Sequence, residues 1–314
     1  MAEAAIVAGH EITLLHRGHS DDPLFEGVEQ LRADRNENVE EPLAGREFDA
    51  TVDVCAYVPR HVRSLAKALD GRGGHHVFIS TMSVYADADG PGLDESAKLV
   101  RLADTSSEEV TGETYGGLKV LCEEAAESAY NDDLTIIRPT YVIGPRDHTG
   151  RFTWWVRRIA RGGEVLAPGP TDSPIQVIDA RDQATWVVSL TESRKAGIYN
   201  SVSPTPPFGL GDLLDATVRA VGPSDTRLTW ADAAWLSERG ETHQSLPLWN
   251  EGSDEWTLAA DPARSFAAGL SPRALTQTIT DTWDWIQEAQ PPLVQGWGIS
   301  AEREAELLSS WRAR

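Results

Sequence analysis

The sequence predicts an α/β fold, a doubly wound parallel sheet with a smaller C-terminal lobe. Three observations predict it. Strand-like runs apolar on both faces recur along the first two hundred residues, helical segments alternate with them, and after Ser201 this rhythm gives way to Pro, Gly and Trp. Strands buried on both faces and separated by helices belong to parallel sheets covered on both sides.

The elements follow in order. Met1 to Val7 is Ala-rich and reads as a helix stopped by Gly9, since glycine takes the left-handed turn at low steric cost. Glu11 to Gly18 ("EITLLHRG") reads as a buried strand, and Ala50 to Tyr57 ("ATVDVCAY") as another. A helix is expected over Pro59 to Gly71, with proline suited to its start and glycine to its stop. His75 to Tyr85 is a strand ending in hydroxyl residues, and Ala86 to Thr114 is a polar, acidic surface loop. Gly116 to Tyr130 is a helix and Leu134 to Gly144 a strand. Arg151 to Pro170 reads as helix, turn and short strand, and Pro174 to Ser193 as a strand running into a helix. Eight of the eleven tryptophans lie at Trp230 or later, which suggests aromatic packing of an irregular lobe. The core is expected over residues 1–144 and 176–200, and the lobe over 145–175 and 201–314.

Composition narrows the function. The chain has 314 residues, 40% of them hydrophobic, enough for a sizeable core. No apolar run approaches the roughly 18 residues that span a bilayer, and the N-terminus lacks a charged-then-apolar signal pattern, so a cytoplasmic protein is expected. A formal charge of −21 argues against nucleic acid and anionic membranes, which need a basic face. Cys55 and Cys122 are expected as reduced core residues. The adjacent pair His75 and His76 points to opposite faces of a strand and makes a poor chelate, so no metal site is predicted. A hydrolase triad lacks its G-x-S-x-G turn.

The strongest chemical signal is "ETYGGLKV", which sets Tyr115 four residues before Lys119, on one face of a helix. An ammonium near a phenol stabilises the phenolate and makes tyrosine a usable acid or base near neutrality. Thr81 and Ser83 end the strand of "FISTMSVY", where α/β sheets bind ligands, and either could donate to a substrate oxygen. Read structurally, they bond their own turn.

With "FISTMSVYAD", "TYGGLK", "IIRPTYVIGP" and "IQVIDARDQA" in that order, joined by "VEQLRADR" and "TVDVCAY", the chain resembles the extended short-chain dehydrogenase/reductases of the NAD(P)-dependent epimerase/dehydratase family. The resemblance runs from the first residues to about Asn200. It implies a Rossmann-like core, with Tyr115 as acid/base, Lys119 on the nicotinamide ribose, and Thr81 or Ser83 on the reacting oxygen. It places Pro139, Thr140 and Val142 near the nicotinamide, Ala56 and Tyr57 near ribose and pyrophosphate, and Asp34 at the adenine. Tyr141, Gln176 and Arg181 fall at substrate positions. His16 and Arg17 follow a strand where an acid would select NAD and an arginine suits NADP, so Arg17 points to NADP over NAD. The helix Gly116–Tyr130 is implied as a homodimer interface.

The sequence departs from the family pattern at its start. The opening strand and its G-x-x-G-x-x-G turn, which brings backbone N–H groups to the pyrophosphate, have no counterpart, and Gly9 and Gly18 lie on the wrong side of the helix to replace them. About fifteen residues are missing by comparison with the usual strand–turn–helix start, and the flanking strands are expected to carry unpaired backbone groups. Three readings follow: an oxidoreductase whose strand lies upstream of an incorrect start, a cofactor-independent isomerase, lyase or cyclase on a truncated scaffold, and a non-catalytic partner protein. The expected substrate is a small molecule, aromatic or polyketide-like, in an uncharged Trp-rich pocket.

Overall fold

The computed structural model describes residues 1–18, 25, 27–251 and 255–314. In chain order its elements are α1 (Ala2–Val7), β1 (Thr13–His16), β2 (Glu29–Arg32), α2 (Glu40–Leu43), β3 (Ala50–Asp53), α3 (Pro59–Leu69), β4 (His75–Ile79), α4 (Tyr115–Tyr130), β5 (Leu134–Pro139), β6 (Tyr141–Ile143) and α5 (Arg151–Ala160). There follow β7 (Glu164–Pro168), β8 (Val177–Asp179), α6 (Ala180–Glu192), β9 (Gly197–Ser201), α7 (Leu210–Val221), β10 (Arg227–Ala231), α8 (Ala233–Ser237), α9 (Ala263–Ala267), α10 (Leu275–Ala289) and α11 (Ala301–Arg312).

Four strands form the central parallel sheet in the order β3-β4-β5-β9. β4 is buried at every position and β5 at all but Pro139, so both lie inside two helical layers. On one face Val77, Ile79 and Ile137 pack against Trp186, Val187 and Leu190 of α6. On the other, Phe78 and Ile136 pack against Val62 of α3 and Cys122, Ala125 and Ala126 of α4. Pro59 opens α3, and Asp70 (φ 46°) and Gly71 (φ 77°) turn the chain out of it through the left-handed region.

β1 and β2 form a separate parallel pair. Among the described residues no strand pairs with the other edge of β1 or the outer edge of β3. Leu15 and Leu31 of this pair pack with Leu65 and Leu69 of α3, and α1 packs on α6, so the pair lies on the β3 side of the main sheet. Two sequence expectations change here. β1 is half-buried throughout rather than buried, and Val52 of β3 and Val54 just beyond it are 37% and 56% exposed. A strand paired on one edge loses the cover that a neighbour's side chains supply.

The strand expected over 134–144 divides at Thr140. β5 stays in the main sheet, while β6 pairs with β8. Thr140 makes the step, its N–H donating to Ser201 O (3.2 Å) and its hydroxyl to Gln176 O (2.8 Å). The strand expected over 50–57 ends at Asp53, and Cys55 beyond it is exposed rather than a core residue. Cys122 is buried as expected.

The largest core lies in the later part of the chain, where α5, α7, α8, α10 and α11 surround the β7–β10 pair. Trp154, Trp155, Trp235 and Trp249 are buried there. Each such side chain withdraws roughly 150–250 Å² from water, enough to hold irregular segments together.

Candidate active site

The C-terminal ends of β3, β4 and β5 open onto a cavity of about 880 Å³. It is lined by Ala56, Tyr57, Thr81, Ser83, Tyr115, Lys119, Pro139, Thr140, Tyr141 and Val142, all of them expected at a site from the sequence. Chain segments distant in sequence meet there because parallel strands share one end.

Tyr115 is the first residue of α4 and Lys119 lies one turn on. The two glycines between them let the helix approach the strand end. A Cβ on Gly116 would stand 2.0 Å from the Ser83 carbonyl oxygen, and one on Gly117 would stand 2.5 Å from Leu102. The strand expected over 75–85 ends at Ile79, and Thr81, two residues beyond it, caps a short 3₁₀ turn, Met82–Val84, with its hydroxyl accepting from Ser83 N at 3.1 Å. The same side chain lies 3.2 Å from Ser83 Oγ and lines the cavity with the Tyr115 phenol, whose ionised form it favours. It therefore serves both the turn and the cavity.

Lys119 is buried, with Nζ donating to Ala56 O (2.9 Å) and Ile79 O (2.8 Å) above the Phe78 ring. Burial pulls its pKa from the usual 10.5 to about 8. Here one sequence expectation is corrected. The Tyr115 phenol is not acidified. Burial pushes its pKa up, opposed by Thr81 and by the charge of Arg151, and the Lys119 ammonium is directed to the two carbonyls instead.

A dinucleotide would meet two different surfaces. An ammonium has three hydrogens, and Lys119 commits two, so one donor remains at the cavity wall for a ribose hydroxyl. The nicotinamide-ribose half of the group thus fits. His16, Arg17 and Asp34 do not line the cavity. His16 accepts from Gly18 N at 3.0 Å and pairs with Gln30 at 3.0 Å, Arg17 is exposed, and Asp34 caps its own turn through Asn36 N at 2.8 Å. Among the described residues, no glycine-rich turn stands between β1 and β3.

Gln176 and Arg181 also lie elsewhere, for reasons of long-range pairing. Gln176 is fully buried and gives its amide to Pro204 O (3.0 Å) and Ala260 O (2.9 Å) while accepting from Ala260 N (2.9 Å). Arg181 is held by Asp179 (2.7 Å) and Asp281 (2.6 Å). Nor is the cavity Trp-rich and uncharged. Among the described residues no tryptophan lines it, because the lobe's own core takes them, and Arg101, Arg146 and Arg151 all do. These three, with His148, were missed; no motif marks them.

A family model described as the NAD dependent epimerase/dehydratase family matches residues 1–201. No curated protein matches the sequence. Among solved structures, a candidate epimerase from Burkholderia cenocepacia J2315 superposes with a TM-score of 0.69 at 19% identity, over 90% of this chain and 92% of that one. UDP-N-acetylglucosamine 4-epimerase from Bacillus cereus gives 0.65 at 13%, over 91% and 94%. The Bordetella bronchiseptica enzyme WbmG, in complex with NAD and UDP, gives 0.66 at 16%, over 91% and 89%. At these identities the likeness is one of fold.

Proposed function

Because this chain belongs to the NAD-dependent epimerase/dehydratase family, we propose that it acts on a hydroxyl- or carbonyl-bearing carbon of a small molecule through Tyr115, Thr81 and Lys119. The observation that carries the proposal is that these three side chains, brought from α4 and the β4 end, line one cavity.

Bound NAD supplies a hydride acceptor or donor. The protein's own part is proton transfer and orientation. With its pKa raised by burial, the Tyr115 phenol is protonated at neutral pH, so its resting form is a proton donor to a carbonyl oxygen. Thr81, which lines the same cavity, holds the same substrate oxygen. Ser83, 3.2 Å from Thr81, supports its orientation. Lys119 offers its third hydrogen to a ribose hydroxyl, and its fixed carbonyl partners keep the ammonium from wandering. Pro139, Thr140 and Val142, which line the cavity, would hold the nicotinamide, and Ala56 and Tyr57 the ribose. A nucleotide-linked substrate is the class we favour, in keeping with the complex of WbmG, similar in fold, with NAD and UDP.

Calorimetric titration with NAD⁺ and NADPH tests the cofactor. Binding is expected, weakened by Lys119→Ala, and no heat with either nucleotide at millimolar concentration would remove the redox reading. Tyr115→Phe is expected to lower turnover by about 10²–10⁴ with folding intact. A second reading, acid–base chemistry without nucleotide, rests on the same lining of the cavity by Tyr115, Thr81 and Lys119. Turnover in nucleotide-free buffer that disappears in Tyr115→Phe would select it.

A further inference from the structure

Arg151 is the first residue of α5 and lines the cavity. A cation in the first turn of a helix is opposed by the helix macrodipole, and no acidic residue shares that turn to offset it. Helix stability gives no reason for an arginine there.

The guanidinium is held in place without being neutralised. Its Nε donates to Thr149 Oγ1 at 3.3 Å, and its carbon stands 4.8 Å from the Tyr141 ring centre and 5.7 Å from that of Trp297. Among the described residues neither Nη has a hydrogen-bond acceptor and no carboxylate lies within ion-pair distance. Asp147, on the same loop, spends Oδ1 on Thr149 N (2.9 Å) and Thr149 Oγ1 (2.6 Å), and Oδ2 on Phe152 N (3.3 Å). The cavity's other arginines are committed, Arg101 to Glu124 and Arg146 to Glu3.

The surroundings are built for this placement. Gly150 has φ 74°, and a Cβ on it would stand 2.7 Å from Val294. Gly298 has φ 87°, and a Cβ on it would stand 1.7 Å from Trp154 Nε1. These two close approaches bring the segment carrying Trp297 against the start of α5. Across the cavity the Arg151 charge reaches the Tyr115 phenol and favours its ionised form.

We infer that Arg151 binds an oxyanion of the substrate, a carboxylate or a phosphate, beside the Tyr115 phenol, and so restricts the reaction to anionic substrates. A planar fork with two uncommitted Nη groups matches either oxyanion through paired hydrogen bonds. The inference deepens the proposed function and rests on it for the reaction, though not for the binding.

Two calorimetric arms test it at one fixed salt concentration, titrating wild type, Arg151→Gln, Arg151→Lys and Arg101→Gln with sodium pyrophosphate and with sodium malonate. Wild type is expected to bind one of them more tightly, and that one assigns phosphate or carboxylate. Arg151→Gln should weaken it at least about tenfold, Arg151→Lys about threefold or more, and Arg101→Gln less than twofold. Ultraviolet titration of Tyr115, taken as the difference from Tyr115→Phe, should move to higher pH in Arg151→Gln. Binding of neither anion by wild type, or equal binding by wild type and Arg151→Gln, overturns the inference. If Arg151→Gln does not fold, unchanged binding by Arg151→Lys overturns it instead. NAD⁺ is titrated in parallel. Loss of anion binding with Arg151 in a protein that binds no nucleotide would discard the redox function and leave the anion site standing.

Discussion

Arg35 grips Asp53 through two parallel hydrogen bonds of 2.8 and 2.6 Å, joining the loop after β2 to the end of β3. The pair ties the two-stranded β1–β2 unit to the main sheet at the place where, among the described residues, no strand connects them. Burial works against the Asp53 charge, but the guanidinium outweighs it and holds the carboxyl below its usual range.

Breaking this pair from one side leaves the other charge buried. Asp53→Asn is expected to cost about 3–5 kcal/mol, read by urea denaturation at neutral pH. Because the folded carboxyl titrates below the unfolded one, the wild-type contribution is present above about pH 4 and lost on acidification. The stability gap between wild type and variant should therefore close as pH falls through that region. A gap constant from neutrality to pH 3 would contradict the assignment.

Much of the site was legible because its signals are local. Tyr115 and Lys119 meet one cavity because a four-residue spacing on a helix has one geometric meaning. Thr81 was legible because a hydroxyl following a buried strand must either cap the turn or face the cavity, and here it does both. Gln176 and Arg181 were misplaced because partners 84 and 100 residues away, Ala260 and Asp281, decide where they point. Arg151 stayed hidden because its meaning depends on Trp297, brought near by two glycine contacts that no local pattern announces.

The Lys119 pKa of about 8 makes a second pH prediction. Between about pH 8 and 10.5 the unfolded chain binds a proton at this side chain that the folded protein has released, so stability rises with pH across that window. The rise attributable to Lys119 should be about 3 kcal/mol. Comparing pH-dependent melting of wild type and Lys119→Met measures it. Parallel curves for the two proteins would show that the folded ammonium keeps its ordinary affinity.

Strand edges should report the divided sheet. Backbone amides of β3 and β1 that face the unpaired side are expected to exchange with deuterium by local fluctuation, several orders of magnitude faster than those of β4 and β5. Hydrogen-exchange mass spectrometry resolves peptides covering 13–16, 50–53 and 75–79. Equal protection in all three would mean that the open edges are covered in solution.

Gly298 should resist substitution. With φ 87° and Trp154 Nε1 where a Cβ would go, Gly298→Ala combines backbone strain with overpacking and is expected to destabilise by about 2–4 kcal/mol. The same change should displace Trp297 from Arg151 and weaken anion binding beyond its effect on melting temperature. Gly296→Ala, with nothing near its Cβ position, isolates the backbone contribution.

The −21 formal charge of the chain and the arginines at the cavity wall pull an incoming ligand in opposite directions. At long range the protein repels anions, while within the last few ångströms Arg151 attracts them. Mobile ions screen the distant field more effectively than a contact shielded by protein. Association of a negatively charged ligand should therefore quicken as moderate salt is added, in contrast to proteins that steer anions with a basic face, and the salt series that speeds capture should lengthen residence little.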